Sequence, residues 1–404
     1  MTSSSPADLF STRRAGILLH PTSLPGTWGV LGDSARKFVD FLADSGLSLW
    51  QTLPIGPTHG DLSPYQSLSA HAGNPDFMDL SELLNMGLLA EAELVQPGAD
   101  ARKSLLALAA HRFFNNEGAG SNGIDQAGFQ RFRANNDYWL DEFCLFVAIR
   151  EVQEAQPWLR WPEALRDREA AALQDFIEQN QSRLARIRFE QFLFHQQWQA
   201  LRDYARNKGV LLFGDIPIFV AHDSADVWAN RHLFKLDQKG DPTVVAGVPP
   251  DYFSPHGQHW GNPLYNWEAM AGDGYQWWLE RLESQRHLFD LIRIDHFRGL
   301  QAYWEIPAEK PEPIHGYWVP GPRGPFLEGC FNQFPYLQLV AENLGTISED
   351  VEELRKRFRL PGMTVMQFGF DGSPDNPHLL NNHHPRDLVY TGTHDNDTTM
   401  GWYQ

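Results

Sequence analysis

Seven short apolar runs, each closing on a polar residue or a glycine-containing turn, limit what this chain can fold into. They are G-I-L-L-H at 16–20, L-S-L-W-Q-T-L at 47–53, V-L-L-F-G-D at 210–215, L-I-R-I-D at 291–295, L-Q-L-V-A-E at 337–342, M-T-V-M-Q-F at 363–368 and L-V-Y-T-G-T-H at 388–394. A strand with one wet face alternates apolar and polar residues, whereas near-continuous apolar runs fit a parallel sheet covered on both faces. Parallel neighbours need crossover connections, and helical periodicity fills several of the gaps. Over 187–208, Ile187, Phe192, Trp198, Leu201 and Tyr204 keep a helical spacing, and Lys208-Gly209 reads as the C-terminal stop.

The pattern predicts an α/β fold of right-handed βαβ units, a TIM (β/α)8-type barrel with inserted subdomains, of which seven strands are found. Residues 1–404 are expected to form one catalytic barrel domain. Two stretches exceed a simple crossover: 60–185, read as a mostly helical insertion, and 219–275, rich in aromatics, Pro and Gly, read as an active-site loop insertion.

Catalytic side chains of such barrels project from the C-terminal ends of strands, so Asp215, Asp295, Glu342 and Asp395 should meet on one rim. A lone strand-end Asp commonly caps the next helix, but four acids together point to chemistry. Arg293 and Asp295, two apart in a strand, share a face, and the cation should hold the carboxylate ionised as a nucleophile near neutral pH requires. A buried structural ion pair is the alternative reading of these two residues. Glu342 closes an apolar run, so desolvation should raise its pKa and keep it protonated as a general acid. A carboxylate and a carboxylic acid about 5–5.5 Å apart are what a retaining glycosidase needs to pass through a covalent glycosyl-enzyme. In T-G-T-H-D-N-D-T at 391–398, His394 and Asp395 lie just past a strand, where hydrogen bonds to ring hydroxyls can strengthen as a sugar distorts toward its transition state.

Charge and composition remove other classes. With 51 acidic against 33 basic residues and a net charge of -18, the chain repels a phosphate backbone, so no nucleic acid partner is expected. The 14 Trp suit stacking on sugar faces, although most such residues pack cores. Cys144 and Cys330 stand far apart without a C-x-x-C spacing, which indicates neither a disulfide framework nor a zinc site and fits a reducing cytoplasm. The start M-T-S-S-S-P-A-D-L-F lacks a basic stretch followed by an apolar one, and no window approaches roughly 18 uncharged apolar residues, so no membrane association is expected. Asp395, Asp397, His383, His384 and His394 crowd one segment, but neither H-E-x-x-H nor EF-hand spacing is present and no metal is expected.

R-I-D-H-F-R-G at 293–299, A-E-N-L-G at 341–345 and T-G-T-H-D-N-D-T at 391–398 resemble the three signature segments of the 4-α-glucanotransferases. These enzymes, also called amylomaltases or disproportionating enzymes, form glycoside hydrolase family 77 of the α-amylase clan. Further matches are S-P-Y-Q at 63–66, G-N-P at 73–75, G-D-I-P-I-F-V at 214–220 and G-V-P-P-D-Y-F-S-P-H-G-Q-H-W-G-N-P-L-Y at 247–265, so the resemblance runs from about Gly16 to Gln404. It implies Asp295 as nucleophile, Glu342 as acid/base and Asp395 as transition-state stabiliser. It also implies substrate binding by Tyr65, Asp215, Asp251, Gln258, Trp260, Arg293, His296 and His394, and no metal or cofactor. For Trp260 and Tyr65 plain packing stays open. The implied reaction moves a segment of an α-1,4-glucan onto the 4-OH of glucose or another glucan by retaining double displacement. A hydrolase of the same clan and an inactive glucan-binding fragment are the alternatives. Members of the family run on past the point where this chain stops at M-G-W-Y-Q, and the missing eighth strand is expected from that difference.

Overall fold

The computed structural model describes residues 9–94, 98–117, 125–250 and 254–404. Eleven strands occur among them: β1 (Gly16–Leu18), β2 (Leu49–Gln51), β3 (Leu211–Pro217), β4 (Val244–Val248), β5 (Gln258–Pro263), β6 (Leu291–Asp295), β7 (Ala302–Pro307), β8 (Tyr317–Pro320), β9 (Leu339–Ala341), β10 (Met363–Val365) and β11 (Leu388–Tyr390). Every one of the seven apolar runs contains a strand, and all seven strands pair in parallel. They fall into two hydrogen-bonded groups, β1-β2-β3-β6-β9 and β10-β11, and no closed barrel forms among the described residues. The two groups meet where the Ala341 amide donates to Pro361 and the Met363 amide to the Asn343 side chain.

Alternation along these strands separates two apolar layers. Trp50, Leu212, Ile216, Ile292, Ile294, Leu339 and Ala341 join the large core shared with the helices. Phe213, Leu291, Val340 and Met363 form a second cluster on the other face, with Leu49, Leu211, Leu388 and Tyr390 packed against it. Strands buried on both sides have no place for alternation, which is why the runs read as continuously apolar. Gly214 is required where the ring of Phe289 lies against β3, since a Cβ there would stand 2.2 Å from Phe289 Cδ2.

Between β2 and β3 every regular element among the described residues is helical. The 27-residue helix Gln181–Asn207 buries Ile187, Phe192, Trp198 and Leu201, and ends where Gly209 takes φ 78°, which a side chain would resist. Segment 219–275 is more regular than a loop insertion. It contributes the helices Ala225–Ala229 and Trp267–Gly272 together with β4 and β5. These strands join β7 and β8 in an antiparallel sheet of order β5-β4-β7-β8. β5 pairs only with β4, inside the segment, but the other partner of β4 is β7 from 302–307, so the full sheet is not visible locally.

Asp290 fastens the long helix to the parallel sheet. Its carboxylate, 6% exposed, accepts from Arg202 and Arg206 of the helix and, at 2.8 Å, from the Leu212 amide of β3. Arg202 also donates to the carbonyls of His287 and Phe289. Removing the carboxylate leaves a buried guanidinium unpaired, so Asp290→Ala is expected to cost about 3–5 kcal/mol of unfolding free energy. Arg206 is half exposed, and Arg206→Ala should cost under about 1 kcal/mol. Urea denaturation of the two variants measures the contrast, and equal losses would show that Asp290 does not anchor the helix.

Candidate active site

The C-terminal ends of β3, β6 and β9 face a cleft of ≈ 640 Å³. Asp215 of β3 pairs in register with Arg293 of β6, and Ile294 of β6 with Ala341 of β9. One residue beyond that last pair, Asp295 and Glu342 therefore stand side by side at neighbouring strand ends, and both line the cleft. Adjacent strands run roughly 4.7–4.9 Å apart, which brings both side chains to one stretch of the cleft.

Arg293 organises the floor. Its Nη1 donates to both oxygens of Asp215 at 2.8 and 2.7 Å, and its Nη2 donates to Asp295 Oδ1 at 2.5 Å. The guanidinium is 4% exposed and the Asp215 carboxylate fully covered, while Asp295 keeps 30% of its side chain open to the cleft. Burial opposes the charge on Arg293, but the two carboxylates outweigh it and raise its pKa well above the ordinary value. Asp215 is pushed upward by burial even with the Arg293 cation beside it.

Glu342 is held differently. Its Oε2 accepts the His296 amide at 2.8 Å and its Oε1 the Leu344 amide at 2.7 Å. Burial, followed by the charge of Asp295, raises its pKa to about 7 despite those two amides. One carboxyl of the pair is thus paired with a cation and open to the cleft, and the other is buried and ready to hold a proton. His296 adopts φ 57°, a left-handed conformation uncommon outside glycine, and its amide is the one that Glu342 accepts. Burial lowers the His296 imidazole to about 4, so the ring is neutral where it meets the edge of Trp260 at 4.8 Å.

Tyr65 donates its single hydroxyl proton to Asp215 Oδ2 at 2.7 Å, and its oxygen lies 2.8 Å from His394 Nε2. The His394 nitrogen must supply the proton of that second bond, which assigns the Nε2–H tautomer. The rings of Tyr65 and His394 stack at 5.5 Å, and Asp395 Oδ1 lies 3.3 Å from the same Nε2. Asp395 itself is 73% exposed on the cleft rim. Trp260 Nε1 donates to Gln258 at 2.9 Å on the opposite wall.

The structure thus brings Asp295, Glu342, Asp395, Tyr65, Gln258, Trp260, Arg293, His296 and His394 to one cleft. Asp215 is the exception: it lies behind Arg293 and Tyr65 with no place on the cleft wall, because its side chain points into the floor that those two residues cover. Asp251 lies outside the described residues. Arg298, Trp318, Phe368 and Asn262 also line the cleft, beyond the residues that the sequence points to. Arg298 sits in the R-I-D-H-F-R-G segment, a signal that could have found it, whereas Trp318 arrives on β8 from a stretch without any motif. Among the described residues no group of His, Cys, Asp and Glu is arranged to hold a metal ion, and no helix is long and apolar enough to cross a membrane. Both cysteines are buried and unpaired.

The sequence profile of glycoside hydrolase family 77, described as 4-alpha-glucanotransferase, matches residues 19–404. The chain is 47% identical over 401 residues to a 4-alpha-glucanotransferase of Thermus thermophilus, covering 97% of this chain and 80% of that one. A chloroplastic/amyloplastic 4-alpha-glucanotransferase of Solanum tuberosum is 43% identical, over 97% of this chain and 70% of the plant protein. Among solved structures, the amylomaltase from Streptococcus agalactiae in complex with acarbose superposes with a TM-score of 0.90 at 34% identity, over 97% of this chain and 81% of that one.

The raised proton affinity of Glu342 is also a statement about stability. The folded chain binds this proton more tightly than the unfolded one, so the contribution is fully present below about 4.5 and is lost as pH rises through about 7. Wild type should therefore lose unfolding free energy, on the order of 3 kcal/mol, between pH 4.5 and pH 8 relative to Glu342→Gln. Parallel pH profiles for the two proteins in chemical denaturation would contradict the assignment.

Proposed function

The chain belongs to the 4-alpha-glucanotransferases of glycoside hydrolase family 77, and on that premise we propose that Asp295, Glu342 and Asp395 divide among them a retaining transfer of α-1,4-glucan segments. The family acts on α-1,4-glucans and maltooligosaccharides, with glucose as an acceptor. The observation that carries the division of roles is the unequal setting of the two neighbouring carboxyls, Asp295 beside a cation and Glu342 buried with a pKa near 7.

In the first half-reaction Asp295 attacks the anomeric carbon, and neutral Glu342 gives its proton to the departing glycosidic oxygen. The bond to Asp295 removes the negative charge that was, after burial, the largest influence raising the proton affinity of Glu342. Its lowered proton affinity leaves Glu342 ionised, and in the second half the carboxylate takes the proton of an acceptor 4-OH as that oxygen displaces Asp295. The Nη2 bond of Arg293 holds the Asp295 carboxylate in place for attack, and Asp215, itself bonded by Tyr65, holds Arg293. Asp395 and His394, on the rim, bind ring hydroxyls of the distorting sugar. Trp260, Val248 and Pro249 line the cleft with apolar surface that disfavours water as the acceptor.

For the scaffold, we read the seven parallel strands as part of a (β/α)8-type barrel, with the place of an eighth strand between β11 and β1. Support comes from the inner apolar cluster shared by strands of both hydrogen-bonded groups and from the Tyr390 hydroxyl of β11, which donates to Gln51 of β2 at 2.7 Å. Residues 60–185 and 219–275 are then insertions into one catalytic unit, the first mostly helical and the second forming the cleft wall. Two free, buried cysteines favour a cytoplasmic, reducing location.

A hydrolase of the same clan would use the same carboxyls, so products must separate the readings. Incubation with maltotriose should yield glucose and a ladder of longer oligomers; glucose and maltose alone would rule out transfer. Asp295→Asn and Glu342→Gln should each lower turnover by several orders of magnitude with circular dichroism unchanged, and the wild-type rate should decline as pH rises through about 7 as Glu342 loses its proton. Near-normal rates in either variant would refute these roles.

A further inference from the structure

Beyond the catalytic carboxyls, the cleft continues along the loop that follows β9. Leu344, Gly345 and Thr346 form one stretch of its wall, and the carbonyl of Thr346 accepts from Arg298 Nη1. The Arg298 guanidinium, on a residue 8% exposed, lies 3.8 Å from the centroid of Trp318, which also lines the cleft. Trp304 pairs with Trp318 across the β7–β8 ladder and meets its ring edge-on at 5.1 Å. Trp304 is in turn fixed by a 2.8 Å hydrogen bond from its indole to the Pro313 carbonyl.

These contacts give Trp318 one orientation while 39% of it stays exposed. A large indole held at the edge of a cleft, with its position already set by a cation and a second indole, presents apolar surface at little entropic cost to whatever binds. Packing accounts for the buried Trp158, Trp198, Trp228 and Trp278, all below 2% exposure, but leaves the open surface of Trp318 without a function. The apolar faces of pyranose rings are ligands that match such a surface, and the cleft already holds Trp260 close to the reacting residues, in contact with His296.

We propose that Trp318, backed by Arg298, forms an additional glucose-binding subsite remote from the bond being cleaved, one that recognises longer α-glucan chains. The inference rests on the glucanotransferase reading of the cleft and adds to it a determinant of chain length. Trp318 touches a non-reacting sugar, so it sets binding of long substrates and leaves the chemical step alone. Short donors end before reaching it.

Kinetics with maltotriose and with maltoheptaose test this. Trp318→Ala should raise KM for maltoheptaose about 10-fold with kcat within about 2-fold, and should leave both constants for maltotriose within about 2-fold. Trp318→Leu, which keeps apolar bulk in the β7–β8 packing without a flat face, should behave as the alanine variant, and Trp318→Phe should restore KM for maltoheptaose to within about 3-fold of wild type. If the alanine variant fails to fold, the leucine and phenylalanine variants carry the comparison alone. Equal effects on both substrates, or an unchanged KM for maltoheptaose in Trp318→Leu, would overturn the subsite. Absence of wild-type turnover on either sugar would overturn the glucanotransferase reading instead.

Discussion

Arg293 stands 4% exposed between two carboxylates, and a guanidinium can be buried there only because both of its Nη atoms are taken. The bifurcated contact of Nη1 with both Asp215 oxygens ties β6 to β3, and the single bond to Asp295 leaves that carboxylate anchored at one oxygen. Tyr65 closes the arrangement from the other side, so Tyr65, Asp215 and Arg293, from three separate parts of the chain, fix where the Asp295 carboxylate points. Each member alone would be a costly buried polar group. Together they form a rigid floor, and His394, with Asp395 beside it, is bonded to the same Tyr65.

Asymmetry in the surroundings of the two carboxyls follows from this floor. The cation is bonded to Asp295, while at Glu342, on the next strand, burial and the charge of Asp295 outweigh the same cation and two backbone amides. Two backbone amides orient Glu342 without being strong enough to keep it ionised, and one of them belongs to His296, whose left-handed backbone departs from the geometry of the strand just before it. On the proposed route an exchange of proton affinity needs no moving part, because forming and breaking a bond to Asp295 would change the charge that Glu342 feels.

Much of this was legible in the sequence for a physical reason: strands covered on both faces need uninterrupted apolar residues, and the polar residue ending each run marks the open rim. The spacing of Arg293 and Asp295 within one strand, and the position of Glu342 after L-Q-L-V-A, carried the location of the pair and the burial of Glu342. Segment 219–275 was less legible because β4 is an inner strand only through β7, which belongs to another part of the chain, and β5 is held only by β4. Trp318 was not legible at all, since nothing local separates a tryptophan on an exposed sheet from one in the core.

The chain's own order of residues therefore determined the parallel α/β scaffold, the strand ends at which carboxyls appear, and the side on which Asp295 has its cation. Those features depend on alternation and on neighbours a few residues away. Only the tertiary structure decided that Asp215 lies behind Arg293, that Glu342 is buried deeply enough to titrate near 7, and that Trp260 and Trp318 share one cleft. Burial and the company of charges are set by contacts such as Tyr65 with Asp215 and Arg298 with Thr346, between residues far apart in sequence. Those distances come into being only when the helices and the antiparallel sheet close around the strands.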